Sequence, residues 1–269
     1  KNKPNLNDWN LFLNKLKNPK KSVKIGLIGK YVELKDSYKS ILESLIHAGA
    51  INEANVEVIT IHSEHLNKKN ISDKLKLLNG LIVAPGFGQR GVEGKIEAIK
   101  YSREKKVPFF GICLGMQMAV IEYARNKLKF SKANSTEMDS KSDFPVIDLM
   151  ESQKKIKSKG GTMRLGAWSC KLLNGSRVRD IYKKEMISER HRHRYEFNNR
   201  FTDKIFNDEL KVAGTNPETS LVEVIENVRH PWFVGVQFHP EYKSSVSNPH
   251  PLFVDFVKSC VMNCDNKIN

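Results

Sequence analysis

The sequence predicts an α/β fold: a doubly wound, mainly parallel sheet flanked by helices, with an added antiparallel strand region towards the C-terminal end. Three observations carry this. Between residues 23 and 125, short apolar runs alternate with segments of helical spacing, which is the pattern of βαβ units. The first and third runs, 23–29 and 81–84, are continuous and rich in β-branched residues, as suits strands covered on both faces. Beyond residue 220 two further runs, 221–228 and 233–238, follow one another as closely as antiparallel neighbours do.

Residues 1–22 are polar and basic, with Pro4 and Pro19 as breakers, and read as a tether with one helical turn around Trp9, Leu11 and Leu13. The chain begins with Lys1 rather than Met, so a piece of a longer polypeptide is expected, with 1–22 as linker, 23–264 as the folded domain and 265–269 as a tail. Ile41, Leu45 and Ala48 place one stripe on a helix at 36–49. Residues 56–61 alternate as a second strand, and 81–84 stop at Pro85-Gly86-Phe87-Gly88. A helix at 93–105, a strand at 107–112 and a helix at 114–125 complete the alternating part. Residues 127–161, polar and rich in Lys and Ser, read as a loop-rich insertion, and an apolar helix at 252–261 closes the fold.

Composition removes several function classes. No apolar run approaches the roughly 20 residues of a membrane helix, and the first residues lack the apolar core of a secretory signal. Cys113, Cys170, Cys260 and Cys264 have no framework spacing, which in a chain of 269 residues favours free thiols in a reducing compartment, the cytoplasm. Cys260 and Cys264 would share a helix face, but no His or Cys pair stands near them in sequence, so no metal site is expected. A formal charge of +15 attracts phosphate non-specifically. Much of it is Lys mixed with Asn in linkers, without a base-stacking motif, so no nucleic-acid partner is expected.

The chemistry concentrates in two short motifs. Gly111-Ile112-Cys113-Leu114-Gly115 falls where a strand hands over to a helix, the thiol form of a nucleophile elbow. The helix that follows aims its N-terminus at Cys113, so its free N–H groups and dipole favour the reactive thiolate. Gln237-Phe238-His239-Pro240-Glu241 follows the run 233–238. His239 and Glu241, two apart, project to one side of an extended chain, where a carboxylate can hold the imidazole in one tautomer. A thiol with a His–carboxylate pair implies acyl transfer through a thioester.

These two motifs, as Gly111-Ile112-Cys113-Leu114-Gly115-Met116-Gln117 and Gln237-Phe238-His239-Pro240-Glu241, resemble those of the class I (triad) glutamine amidotransferases. Asn134-Ser135-Thr136-Glu137, Gly160-Gly161-Thr162-Met163-Arg164-Leu165-Gly166, Glu189-Arg190-His191-Arg192-His193-Arg194-Tyr195-Glu196 and Pro249-His250-Pro251-Leu252-Phe253 narrow the resemblance to the C-terminal glutaminase domain of the CTP synthase family. The similarity runs from about residue 23 to 260.

The resemblance implies a flavodoxin-like sheet and glutamine hydrolysis by Cys113 as nucleophile, His239 as base and Glu241 as its orienting group. Gly86, Leu114, Gly115, Met116, Gln117, Glu137 and Arg194 match the positions that hold L-glutamine, and the backbone at Gly86 and Leu114 matches the oxyanion donors. It further implies a synthetase domain of the same polypeptide, absent from this chain, that uses ATP, UTP and Mg2+, with GTP as allosteric activator and a homo-oligomer as the full-length enzyme. No cofactor belongs to this domain, and nothing in the chain resembles a P-loop. The family usually reads Pro-Gly-Gly-Phe-Gly where this chain has Ala84-Pro85-Gly86-Phe87-Gly88; Pro85 has no N–H, so a loop donor must be Gly86 or Phe87. The basic run at 190–194 reads from composition as a solvated strand or an acidic-ligand patch. The resemblance assigns Arg194 to glutamine and the other cations to the effector nucleotide or the partner domain. Three other readings stand beside this one: another triad amide hydrolase such as a γ-glutamyl peptidase, a nucleic-acid-binding domain, and an inactive regulatory domain.

Overall fold

A computed structural model describes residues 5–149 and 163–268. The motif residues Gly160, Gly161 and Thr162 lie outside the described residues, as does the end of the 127–161 segment.

The apolar runs pair side by side. Strands β1 (Lys21–Gly29), β2 (Ala54–His62), β3 (Gly80–Val83), β4 (Phe109–Ile112) and β12 (Phe233–Val236) lie parallel in the order β2-β1-β3-β4-β12. The same sheet continues antiparallel through β11 (Val222–Asn227), β10 (Leu210–Thr215), β7 (Arg164–Leu172) and β8 (Met186–His193), nine strands in all. Side chains alternate across the parallel strands into two cores. Ile25, Leu27, Phe110 and Ile112 face helices α2 (Lys39–Ile51) and α8 (Pro251–Ile268). Ile28, Leu81, Val83 and Phe109 face α4 (Val92–Lys105) and α5 (Leu114–Glu122). Burial on both faces is why these strands read as unbroken apolar runs.

The short elements were harder to anticipate. A helix α1 spans Asn7–Lys17, longer than the single turn expected, because Phe12 packs edge-on to His47 of α2 with ring centroids 6.2 Å apart. Helix α3 (Ile71–Leu75) is a single extra turn. Helix α8 runs to Ile268, past the expected end at 261, held there by Asn263 donating to the Asn79 carbonyl and by a Lys21–Asp265 ion pair of 2.6 Å. The expected loop-rich insertion carries two strands, β5 (Ala133–Ser135) and β6 (Phe144–Leu149). They form a small second sheet with β9 (Tyr195–Phe197) in the order β5-β6-β9. Phe144, Val146 and Ile147 seat this sheet on the α5 side of the core. Two short helices, α6 (Arg177–Tyr182) and α7 (Thr202–Ile205), connect the antiparallel strands.

Candidate active site

Ladder register brings the two motifs together. β4 and β12 pair with Ile112 opposite Val236, and β3 pairs with β4 with Val83 opposite Gly111. The residues following all three strands therefore emerge at one C-terminal sheet edge, where ligands of parallel α/β sheets bind. Cys113 is the first residue beyond β4, and its N–H donates to the Val236 carbonyl at 2.7 Å.

The turn at Cys113 is tight. Its φ of 54° and ψ of −103° lie outside the regions an L-residue favours, a strain worth about 1–3 kcal/mol. Flanking glycines permit it. A Cβ on Gly111 would come within 2.8 Å of the Gly115 backbone, and one on Gly115 would meet the Val83 carbonyl at 2.2 Å. The reward is a sulfur at the N-terminus of α5, whose first amides have no helical carbonyl to bond.

His239 is buried, and its Nδ1 meets Glu241 Oε1 at 2.8 Å. With the carboxylate holding Nδ1–H, the tautomer presents Nε2, which has no hydrogen-bond partner among the described residues, as an acceptor for a thiol proton. Tyr242 stacks on the imidazole at 5.1 Å between centroids and 11° between planes, and the His239 N–H is tied to the Arg190 carbonyl at 2.8 Å. Burial opposes the imidazolium, but the negative charges of a Cys113 thiolate and of Glu241 outweigh it and raise the His239 pKa.

Cys113, Gln117 and His239 line a cavity of about 580 Å³ together with Gly86, Glu137 and Arg194. Of the other residues singled out from the sequence, Glu241 lies behind His239, while Leu114, Gly115 and Met116 are buried and face the core rather than the cavity. Only main-chain groups of these three could meet a ligand. Glu137 follows β5 and accepts from the Gly88 N–H with Oε1 at 2.8 Å, so the small second sheet is what carries it to the cavity. Phe87 of the loop after β3 also lines the cavity, as do Tyr31, Ser37, Met163, Tyr195 and Tyr242, which the sequence did not single out as site residues.

Two lysines hold the loop after β3. Lys95 is fully buried and donates to the Ala84 carbonyl at 2.8 Å, and Lys30 donates to the Phe87 carbonyl. Burial, helped by the neighbouring Lys30 charge and opposed by Cys113, pushes Lys95 down to about 7. Lys30 follows β1 directly, a sheet-edge position that could have flagged it; Lys95 lies within a helix and gives no such signal. The run 190–194 divides by strand alternation: Arg190 and Arg192 are exposed, whereas His191 and His193 are buried. Among the described residues no group of three or more His, Cys, Asp and Glu side chains could hold a metal ion. No helix there is long and apolar enough to cross a membrane.

The chain belongs to the class I glutamine amidotransferase family, whose model matches residues 33–259. Named relatives narrow this further. The CTP synthase of Flavobacterium johnsoniae is 60% identical over 258 residues, covering 96% of this chain and 48% of the relative. That of Christiangramia forsetii is 62% identical over 256 residues, covering 95% and 47%. The solved Trypanosoma brucei CTPS glutaminase domain with bound acivicin is 34% identical, with a TM-score of 0.83 over 89% of this chain and 94% of that one. Within the family the chain thus falls with the glutaminase half of CTP synthases, and it spans about half the length of the curated relatives it matches.

Proposed function

We propose that this chain hydrolyses L-glutamine to glutamate and ammonia through a thioester on Cys113. The observation that carries the reading is Cys113, held at a strained elbow, sharing one cavity with His239, whose far nitrogen is fixed by Glu241 at 2.8 Å. His239 Nε2 takes the thiol proton, and the sulfur adds to the side-chain amide carbon. The tetrahedral oxyanion rests on N–H groups of Leu114 and of the loop at Gly86, donors worth a few kcal/mol in the transition state. His239 then protonates the leaving ammonia and activates water against the thioester. Glu137, lining the cavity, meets the α-ammonium of glutamine, and Arg194, also in its lining, meets the α-carboxylate.

The ammonia passes to an ATP-, UTP- and Mg2+-using synthetase domain of the same polypeptide, joined through residues 1–22 to the glutaminase domain at 23–264, and UTP is aminated to CTP. The full-length enzyme is a cytoplasmic homo-oligomer activated by GTP, with exposed Arg190 and Arg192 beside the site as cations available to an anionic effector or to the partner domain.

The test is intact mass after incubation with 6-diazo-5-oxo-norleucine, a glutamine analogue that traps reactive thiols. One adduct on Cys113, suppressed by excess glutamine, is expected. Cys113→Ala should abolish both the adduct and ammonia release while leaving thermal unfolding cooperative. Turnover persisting in that variant would remove the triad, and an adduct suppressed by γ-glutamyl peptides but not by glutamine would make the chain a peptidase.

A further inference from the structure

Gln237 opens the motif that carries His239, yet neither general base nor oxyanion donor accounts for it. Its side chain is fully buried. Nε2 donates to Cys113 Sγ at 3.7 Å, and Oε1 accepts from Gln117 Nε2 at 3.1 Å. Gln117 Nε2 donates as well to the Tyr195 carbonyl at 2.8 Å.

That last contact determines which way both amides face. A main-chain carbonyl can only accept, so the Gln117 atom against it is the NH2 group. The same nitrogen meets Gln237, whose facing atom is therefore its carbonyl oxygen. The NH2 group of Gln237 is left turned to the sulfur. Tyr195 fixes Gln117, Gln117 fixes Gln237, and Gln237 presents a donor to Cys113.

We propose that Gln237 stabilises the Cys113 thiolate as a preoriented neutral hydrogen-bond donor, held in place through Gln117 by the Tyr195 carbonyl. The proposal rests on the glutaminase reading and deepens it. A thiolate accepts a hydrogen bond better than a thiol, so the contact favours the ionised nucleophile. An amide does not titrate, so its contribution survives loss of the imidazolium proton. It also serves the second half-reaction. Water adds to the thioester carbon with its proton passing to His239, the C–S bond breaks, and the electron pair returns to Sγ where the Gln237 N–H meets it.

The experiment is the pH profile of Cys113 alkylation by iodoacetamide. Modified peptides are resolved by mass, so that the partly exposed Cys264 is counted separately. Gln237→Met keeps the chain length and removes the donor. Its alkylation midpoint should rise by about one pH unit, a roughly tenfold loss of thiolate below the midpoint. Gln237→Glu turns a carboxylate to the sulfur and should raise the midpoint further. For Gln237→Met, kcat/KM at pH 7 should fall about tenfold and recover above the new midpoint, whereas a purely structural role would lower it at every pH. Unmoved midpoints overturn the proposal. Should Gln237→Met lose cooperative thermal unfolding, Gln117→Leu, which frees the Gln237 amide from its orientation without adding charge, decides by the same midpoint. Glutamine protection of wild-type Cys113 is measured in parallel: its absence would count against the glutaminase reading, while the midpoints still decide Gln237.

Discussion

The parallel and antiparallel halves of the sheet bury different chemistry. In β1, β3, β4 and β12 the inward side chains are apolar, among them Ile25, Leu27, Phe109, Phe110 and Val234. In β7, β8 and β11, with β9 of the small second sheet against them, the interior holds charge. Arg164 Nη2 meets Glu223 Oε1 at 2.6 Å and its Nη1 meets Glu196 Oε1 at 3.4 Å, while His191 and His193 share a 2.8 Å hydrogen bond alongside. One guanidinium thus serves two carboxylates. Burying a second negative charge is unfavourable, so burial pushes Glu196 up to about 8 and Glu223 to about 7 despite Arg164. Burial and the Arg164 charge push His191 down to about 3. The apolar half supplies a rigid edge for Cys113 and His239. The charged half backs the cavity wall formed by His193, Arg194 and Tyr195, and its cohesion depends on which groups hold protons.

The largest expected effects contrast the two halves directly. Phe110→Ala empties a site packed by Trp232, Phe253 and Phe256 and should destabilise by about 3–5 kcal/mol, equally at pH 5 and pH 8. Arg164→Ala leaves Glu196 and Glu223 without their cation and should cost a similar 3–5 kcal/mol at pH 8. At pH 5 the loss should shrink, because both carboxylates can then be neutral in the folded protein. Urea midpoints at the two pH values test this. An Arg164→Ala cost that did not change with pH would erase the distinction between the halves.

The same distinction explains what could be read from sequence. The parallel half announces itself, because strands covered on both faces become apolar runs and their ends are marked by Gly29, Pro85-Gly86 and Gly111. Hence the sheet and the strand-to-helix position of Cys113 were legible. His191, His193, Arg164 and Glu223 were not. Isolated in sequence they look like a solvated strand, and only partners tens of residues away make their burial tolerable. β5 and β6 are short and sit among polar residues, so the element that delivers Glu137 read as loop. Lys95 gives no signal because a cation on a helix reads as exposed, and Gln237 gives none because its partners, Gln117 and Cys113, lie far from it in the chain.

A smaller effect isolates the retained proton. In the unfolded chain Glu196 loses its proton near the ordinary carboxylate value, whereas in the folded protein it keeps it to about 8. The folded state therefore binds more protons across that interval, and stability falls as pH rises through it. Glu196→Gln fixes the neutral form. Its stability relative to wild type should rise by about 1–2 kcal/mol from pH 6 to pH 8, measured by urea unfolding at both. A flat difference would mean that the acid pair holds no proton at neutral pH.

Lys95 gives an effect no larger than that of Glu196 and of the opposite sign, which makes it the sharper probe of the parallel half. It is that half's fully buried cation, lying under the loop after β3, and it loses its proton near 7 when folded but only above 10 when unfolded. From pH 7 upward the unfolded chain binds more protons, so wild-type stability gains from this group as pH rises. Lys95→Leu removes that gain, and its stability relative to wild type should fall by about 1–2 kcal/mol between pH 7 and pH 9. A flat difference would mean that Lys95 stays charged when buried. The Ala84 carbonyl would then be held by a full ammonium, and the loop that flanks Cys113 would carry a permanent positive charge rather than one lost as pH rises above 7.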